Sequence, residues 1–144
     1  GLDMLMHAKA CVRAFGDFHL ALSGGSTPMP LYRRMMYDPA FRDFPWARTH
    51  LWIVDERCVR FDDERSNYGQ IRDLIVDHSD IPKAQVHPIF AYEPDADTRY
   101  EAELREVLGW PTHWEPMGAI AIGRPLGPAT ARRGRDAADY LHVH

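Results

Sequence analysis

The sequence predicts an α/β fold in which helices cover both faces of a parallel β-sheet. Short apolar runs alternate along the chain with segments of helical periodicity, and the run THLWIVDE at 49–56 is apolar without alternation. Such a run is typical of a strand that is buried on both faces. The alternation of strands and helices favours a parallel sheet over a sandwich or a helix bundle.

Composition indicates a folded globular domain. The 144 residues are 45% hydrophobic and 26% charged, with no apolar run near the ~20 residues of a membrane span. A formal net charge of −4 disfavours nucleic acid as a partner and leaves small anionic ligands open. Cys11 and Cys58 are too few for a disulfide framework, and no secretory leader precedes them. We therefore expect a cytoplasmic protein without a nucleic-acid or membrane partner.

The first half of the chain predicts two helices around one strand. Apolar residues follow helical spacing over 4–15, and FHLAL at 18–22 predicts a strand that breaks into a glycine loop. In the next helix, Thr27 is the predicted N-cap and Pro28 the first residue. The predicted inward face of this helix consists of Leu31, Met35 and Met36.

The second half continues the alternation. After the strand at 49–56, the sequence predicts a helix at 68–78, a strand near 84–90 and a further helix at 95–108. The predicted inward face of the helix at 68–78 consists of Tyr68, Ile71, Leu74 and Ile75.

The loop Ser23-Gly24-Gly25-Ser26-Thr27 joins a predicted buried strand to a predicted helix. Unpaired backbone N–H groups and the positive end of the helix dipole favour an anion at such a junction, and phosphate is the expected guest. The loop lacks the lysine of a Walker A motif and the spacing of a dinucleotide fingerprint, so neither ATP nor NAD is indicated. The alternative is a tight glycine turn with an ordinary helix cap.

A second cluster, Asp55-Glu56-Arg57, directly follows the strand LWIV, and Asn67 ends a charged run at 62–67. Ligands bind beyond the carboxyl ends of strands in open parallel sheets, so this cluster and the glycine loop are predicted to share one crevice. Arg57 can clamp a phosphate, and a neighbouring carboxylate can orient the guanidinium or a sugar hydroxyl. The alternative is a solvated loop held by surface ion pairs.

The histidines and serines indicate no other catalytic group. None of the eight histidines has the spacing of a metal-ligand pair, so we expect no metal site. Ser23 and Ser26 lack the G-x-S-x-G context of a serine nucleophile.

Two long segments, LALSGGSTPMPLY at 20–32 and WIVDERCVRFDDERSNYGQIRDLI at 52–75, resemble the 6-phosphogluconolactonase family in order and spacing. EVLGW at 106–110 also resembles this family. The resemblance implies a Rossmann-like α/β fold, no metal or organic cofactor, and hydrolysis of 6-phospho-D-glucono-1,5-lactone to 6-phospho-D-gluconate in the pentose phosphate pathway. It also implies a set of residues that bind the sugar phosphate: Gly24, Gly25, Ser26, Thr27, Asp55, Arg57 and Asn67.

The chain departs from the family after Met117-Gly118-Ala119, where it reads IAIGRPLGPA. The family continues with a motif like G-M-G-x-D-G-H-T-A-S-L-F-P-G, whose histidine is implied as the general base, so no catalytic residue is assigned here. We divide the chain into a partial lactonase-like domain over 1–118 and a divergent tail over 119–144. The sheet is expected to be incomplete at its C-terminal end.

A frameshift accounts for the tail. If one base is missing at the end of the Ala119 codon, the nucleotides for Ala119 to Ala129 can be reread one base earlier as D-x-H-x-A-S-L-x-P-G. This rereading requires a TTR codon for Leu126. We interpret residues from about 120 onward as a frameshifted translation, with a disordered terminus as the alternative that composition favours.

Two other functions stay open at this point. A glucosamine-6-phosphate deaminase or isomerase shares the fold and a similar phosphate loop, although the DER and ERSNYG motifs favour the lactonase. The second open function is that of a non-catalytic fragment that binds sugar phosphate. The absence of the general-base motif supports this alternative.

Restoring one base after the Ala119 codon, with the natural downstream frame, should restore lactonase activity. Lactone opening needs a water that is deprotonated as it attacks, and an imidazole with a pKa of about 7 suits this step. The measurement compares hydrolysis of 6-phosphogluconolactone by this chain and by the restored gene product, each corrected for spontaneous hydrolysis. Equal rates would show that the catalytic base lies within residues 1–119.

Overall fold

The computed structural model describes residues 2–111 and confirms the predicted α/β fold. Three parallel strands lie in the order β1-β2-β3: β1 (Phe18–Leu22), β2 (Thr49–Ile53) and β3 (Val86–His87). The four helices are α1 (Leu2–Phe15), α2 (Met29–Tyr37), α3 (Asn67–Leu74) and α4 (Ala96–Leu108). The predicted frameshift and the predicted domain boundary at 118/119 lie outside the described residues.

The sheet has one densely packed face, which we call the front face. Residues alternate along β1, so that Phe18, Leu20 and Leu22 are buried while His19 and Ala21 on the opposite face are exposed. Helices α1, α2 and α3 contribute side chains to the same buried cluster as these strand residues. The front-face core includes Leu5, Ala8, Tyr32, Met35, Leu51, Ile53, Ile71 and Ile75. No helix in the described part of the chain is both long and apolar enough to cross a membrane.

Three local predictions differ from the structure by small shifts. Helix α2 has Pro28 rather than Thr27 at its N-cap, without a capping side chain, because the chain makes one more turn before the helix begins. Tyr32 takes the inward position expected of Leu31, which is 39% exposed. Strand β3 is only two residues long, since Pro88 follows it and has no N–H to continue the ladder.

The opposite face, which we call the back face, carries a row of aromatic rings. The strand register pairs His19 with His50 and Trp52 with His87. His87 is 2% exposed and stacks on Trp52, with a ring-centroid distance of 3.7 Å. Its Nε2 atom lies 2.9 Å from Nδ1 of His50, and its Nδ1 atom lies 2.6 Å from Oε1 of Glu103 on α4. The carboxylate thus favours an Nδ1–H tautomer of His87, whose Nε2 accepts a hydrogen bond from neutral His50.

Helix α4 is also attached to the back face through Tyr100. The Tyr100 hydroxyl donates to the carbonyl of Ile53 at 2.7 Å and accepts from the Ile53 N–H at 3.2 Å. Burial raises the pKa of this phenol, so it stays a neutral donor. A cleft of about 590 Å³ separates α4 from β1 and β2, and its lining includes Ala21, Trp52, Leu104, Leu108 and Trp110.

The start of α3 is fixed by a carboxylate from the loop after β2. Glu56 accepts hydrogen bonds from the backbone N–H groups of Asn67 at 2.7 Å and Tyr68 at 2.8 Å, and from the Ser66 hydroxyl at 3.1 Å. Ser66 is the N-cap, and its oxygen accepts from the Gly69 N–H at 2.9 Å. The first turn of α3 therefore has partners for donors that a helix start otherwise leaves unpaired.

Replacing Glu56 with alanine should lower the free energy of unfolding by ~1.5–3 kcal/mol, because hydrogen bonds to a charged acceptor would be lost at the start of α3. Urea unfolding of the variant and the parent protein measures this difference. Glu64→Ala is the matched control, since Glu64 is an exposed acid in the same loop. Equal losses in the two variants would contradict the capping role of Glu56.

Stability should also fall as the pH is lowered from 7.5 to 5.5. Burial lowers the pKa of His19 and His50 below the ordinary 6.5, and neighbouring histidines add to the effect at His50. Just below pH 6.5 the unfolded chain therefore binds more protons than the folded chain, so acid favours unfolding.

Urea unfolding at several pH values tests this expectation. The His50→Gln variant should show a shallower dependence of unfolding free energy on pH than the parent. The exposed His78, changed to glutamine, serves as the control. A slope unchanged by His50→Gln but reduced by His78→Gln would place the titrating group elsewhere.

Candidate functional site

The glycine loop and the Asp55–Arg57 segment lie at the same edge of the sheet, as predicted. Strands β1 and β2 are parallel, so their carboxyl ends meet at one edge. The ladder continues to that edge, where the Val54 N–H donates to the carbonyl of Leu22 at 3.0 Å. Each polar segment starts within two residues of the end of its strand, which brings the two together.

The glycine loop has backbone donors without protein partners at this edge. Within residues 2–111, the N–H groups of Gly24, Gly25, Ser26 and Thr27 donate no hydrogen bond to the protein. Gly25 has a φ of 89°, a left-handed conformation that favours glycine. The three hydroxyl residues of the loop, Ser23, Ser26 and Thr27, are exposed. The start of the loop is fixed by Tyr32, whose hydroxyl donates to the Ser23 carbonyl at 2.9 Å.

The segment after β2 directs neighbouring side chains in different ways. Glu56 turns inward to the start of α3, and it also accepts from the Arg57 N–H at 2.8 Å. The Arg57 side chain is exposed, and its guanidinium has no hydrogen bond or ion pair within the described residues. Asp55 is exposed as well. The edge therefore offers one cation and one carboxylate to a ligand.

Asn67 lies beneath these two segments rather than at the open edge. It is 4% exposed, and its Nδ2 donates to the carbonyl of Asp55 at 2.8 Å and to Oδ2 of Asp55 at 3.0 Å. The sequence prediction grouped Asn67 with residues that contact the substrate. Its burial and its internal hydrogen bonds instead place it against the protein, where it supports the residues above it.

The charged run at 62–65 fits the alternative of a solvated loop. Arg65 forms a two-pronged contact with Asp63 in which Nε lies 2.9 Å from Oδ1 and Nη2 lies 2.8 Å from Oδ2. Hydrogen bonds from Arg65 lower the pKa of Asp63 to about 2. Both side chains already have each other as partners, so neither is placed as a ligand-binding group.

Histidines are absent from this edge within the described residues. His19, His50 and His87 lie on the back face, while His7 lies on α1 and His78 follows α3. Across residues 2–111, His, Cys, Asp and Glu side chains nowhere form a group of three that could hold a metal ion. The chemistry that these residues offer at the edge is anion binding by backbone amides and a guanidinium.

Sequence reasoning missed three residues that shape the site. Glu56 was considered only as a possible ligand contact, and its capping role pairs it with amides eleven and twelve residues later. Tyr32 was overlooked in favour of Leu31. Ser66, three residues before Gly69, is the one with a local signal, since serine is a preferred N-cap.

Comparison with known proteins gives a consistent result. The family model described as "Glucosamine-6-phosphate isomerases/6-phosphogluconolactonase" matches residues 2–123. The chain is 46% identical over 87 residues to the GDH/6PGL endoplasmic bifunctional protein of Homo sapiens, covering 60% of this chain and 11% of that protein. It is 38% identical over 92 residues to the 6-phosphogluconolactonase of Aggregatibacter actinomycetemcomitans, covering 62% and 40% of the two chains.

Solved structures agree with the sequence relatives. The 6-phosphogluconolactonase of Thermotoga maritima aligns with a TM-score of 0.63 at 28% identity and covers 74% of this chain and 48% of that chain. The chain thus spans less than half the length of these relatives. Because the family model matches most of its residues, the chain belongs to the glucosamine-6-phosphate isomerase/6-phosphogluconolactonase family.

Proposed function

We propose that this chain binds the phosphate of a six-carbon sugar acid or lactone at the carboxyl edge of its sheet. The family reaction that this site serves is hydrolysis of 6-phospho-D-glucono-1,5-lactone to 6-phospho-D-gluconate. The observation that carries the proposal is that two groups without protein partners among residues 2–111, the amides of the glycine loop and the Arg57 guanidinium, follow strands that end at one edge. Both groups suit a phosphate dianion.

The two groups recognise phosphate in complementary ways. Backbone N–H groups of Gly24 to Thr27 supply fixed donors, and the exposed hydroxyls of Ser26 and Thr27 add two more. Arg57 supplies the charge, and its planar fork can bond two phosphate oxygens at once. Asp55 then faces the sugar, where its carboxylate can accept a hydrogen bond from a hydroxyl. An unphosphorylated sugar acid would leave most of these donors unused.

Turnover by this chain is proposed to be weak. Water must lose a proton as it attacks the lactone carbonyl, and a missing general base costs roughly 10²–10⁴ in rate. The described residues place no histidine at the carboxyl edge. We therefore propose binding of sugar phosphate with little hydrolysis.

The lactonase assignment is favoured over a deaminase or isomerase by the relatives. The sequence relatives described above carry 6-phosphogluconolactonase or 6PGL in their names.

We also propose a cytoplasmic location, which the two free cysteines, Cys11 and Cys58, support because thiols persist in a reducing compartment. Fractionation of cells that express the tagged chain distinguishes the cytoplasm from the endoplasmic compartment named for the human relative.

The proposal predicts that 6-phosphogluconate binds and that Arg57→Ala weakens its binding by ~1.5–3 kcal/mol, the range for a hydrogen bond to a charged group. Gluconate, which lacks the phosphate, should bind far more weakly than 6-phosphogluconate. Isothermal titration calorimetry measures all three affinities.

Arg13→Ala is the matched control, because Arg13 is an exposed arginine on α1. This variant should bind 6-phosphogluconate as the parent does. Equal affinity for gluconate and 6-phosphogluconate would rule out phosphate recognition at the site. If Arg57→Ala and Arg13→Ala weaken binding of 6-phosphogluconate equally, the contribution of Arg57 is only non-specific charge attraction.

A further inference from the structure

We propose that Asn67 is a positioning residue that holds the glycine loop and the Asp55–Arg57 segment at the spacing one phosphate requires. The inference rests on the proposed function, and it deepens that function by assigning how the two halves of the site are joined. Asn67 itself is not expected to touch the ligand.

The first support is the contact between Asn67 and Gly24. A Cβ atom added to Gly24 would overlap Oδ1 and Cγ of Asn67 and would lie 2.6 Å from its Cβ. The backbone of the loop therefore rests directly on the Asn67 amide. Gly24 does not have a positive φ, so the need for glycine at this position comes from that contact rather than from backbone conformation.

The second support is the set of hydrogen bonds on the other side of the same amide. Nδ2 of Asn67 donates to both the carbonyl and the carboxylate of Asp55, at 2.8 and 3.0 Å. The Asn67 N–H donates to Glu56 at 2.7 Å. Asn67, the first residue of α3, thus contacts both the loop after β1 and the loop after β2.

The burial of Asn67 makes this link rigid. At 4% exposure, the side chain has little room to rotate, and its backbone belongs to the first turn of a helix. Binding groups need to be held within ~0.5 Å of their productive geometry by such supporting contacts. Losing the link would let each loop move separately while leaving Arg57 and the loop amides chemically intact.

Two substitutions of Asn67 test the proposal by calorimetry with 6-phosphogluconate. Asn67→Ala should weaken binding roughly 10-fold or more, since two hydrogen bonds and the support under Gly24 are lost. Asn67→Asp should weaken binding at pH 7.5, because its carboxylate repels Asp55. Its affinity relative to the parent should recover near pH 5, where a proton shared by the two carboxyl groups restores a donor.

Gln70→Ala is the matched control. Gln70 is an exposed amide on the same helix and donates to the Glu64 carbonyl at 2.8 Å, without a hydrogen bond to residues 24–27 or 55–57. This variant should keep the affinity of the parent. If Asn67→Ala lowers the melting temperature but binds 6-phosphogluconate within twofold of the parent, Asn67 is only structural and the proposal is overturned.

Gly24→Ala approaches the same contact from the other side and leaves Asn67 in place. This substitution should weaken binding of 6-phosphogluconate at least 10-fold in the parent. The loss of affinity should be smaller in an Asn67→Gly background, because the atoms that the new Cβ would contact belong to the Asn67 side chain. If the two substitutions weaken binding additively, the contact between residue 24 and Asn67 is not the cause of the weaker binding, and the proposal is overturned.

Backbone order parameters from NMR relaxation separate a failure of this inference from a failure of the proposed function. If the parent binds no 6-phosphogluconate, the function is wrong, and the linkage is tested without ligand. The order parameters in Asn67→Ala should then fall at both 24–27 and 55–57, and should stay unchanged in Gln70→Ala. Order parameters that fall in neither segment, or in only one, overturn the positioning role.

Discussion

The carboxyl edge of this protein depends on the placement of one carboxylate, that of Glu56. By turning toward the first turn of α3, it neutralises backbone donors that the helix start would leave exposed. While Glu56 turns inward, the neighbouring Arg57 side chain is exposed, and its guanidinium has no protein partner within residues 2–111. The same helix start presents Asn67 to Asp55 and Gly24, so both halves of the site depend on one buried junction.

The two faces of the sheet are stabilised by different interactions. The front face is apolar and carries the packing of α1, α2 and α3, which is where burial of side chains favours folding. The back face instead has histidine rings and a tryptophan whose polar atoms pair with each other and with Glu103. Stability on the back face is therefore sensitive to protonation, whereas the front face is not. The carboxyl edge lies between the two faces, where the amides of Gly24 to Thr27 and the Arg57 guanidinium have no protein partner within residues 2–111.

Most of the fold could be predicted from the sequence because the spacing of apolar residues within a short segment indicates whether it forms a strand or a helix. The strand at 18–22 and the helix at 95–108 were predicted from apolar spacing and match the structure to within a residue. The predicted 84–90 strand shrank to two residues because one proline stops the ladder. Inward-facing Tyr32 was missed because its place is set by a hydrogen bond to Ser23, nine residues earlier. The Asn67 contacts escaped prediction for the same reason, since spatial pairing across 12 residues leaves no periodic trace.

The Tyr100 hydroxyl bonds the backbone of β2 where its pairing with β3 ends. Within residues 2–111, β3 pairs with Leu51 and Trp52 but not with Ile53, and one phenol oxygen bonds both the N–H and the carbonyl of Ile53. Helix α4 consequently cannot separate from the sheet without leaving two backbone groups of β2 unpaired. Its unfolding is thereby tied to that of the central strand, and a helix without a single fully buried residue becomes part of the cooperative unit that includes the carboxyl end of β2.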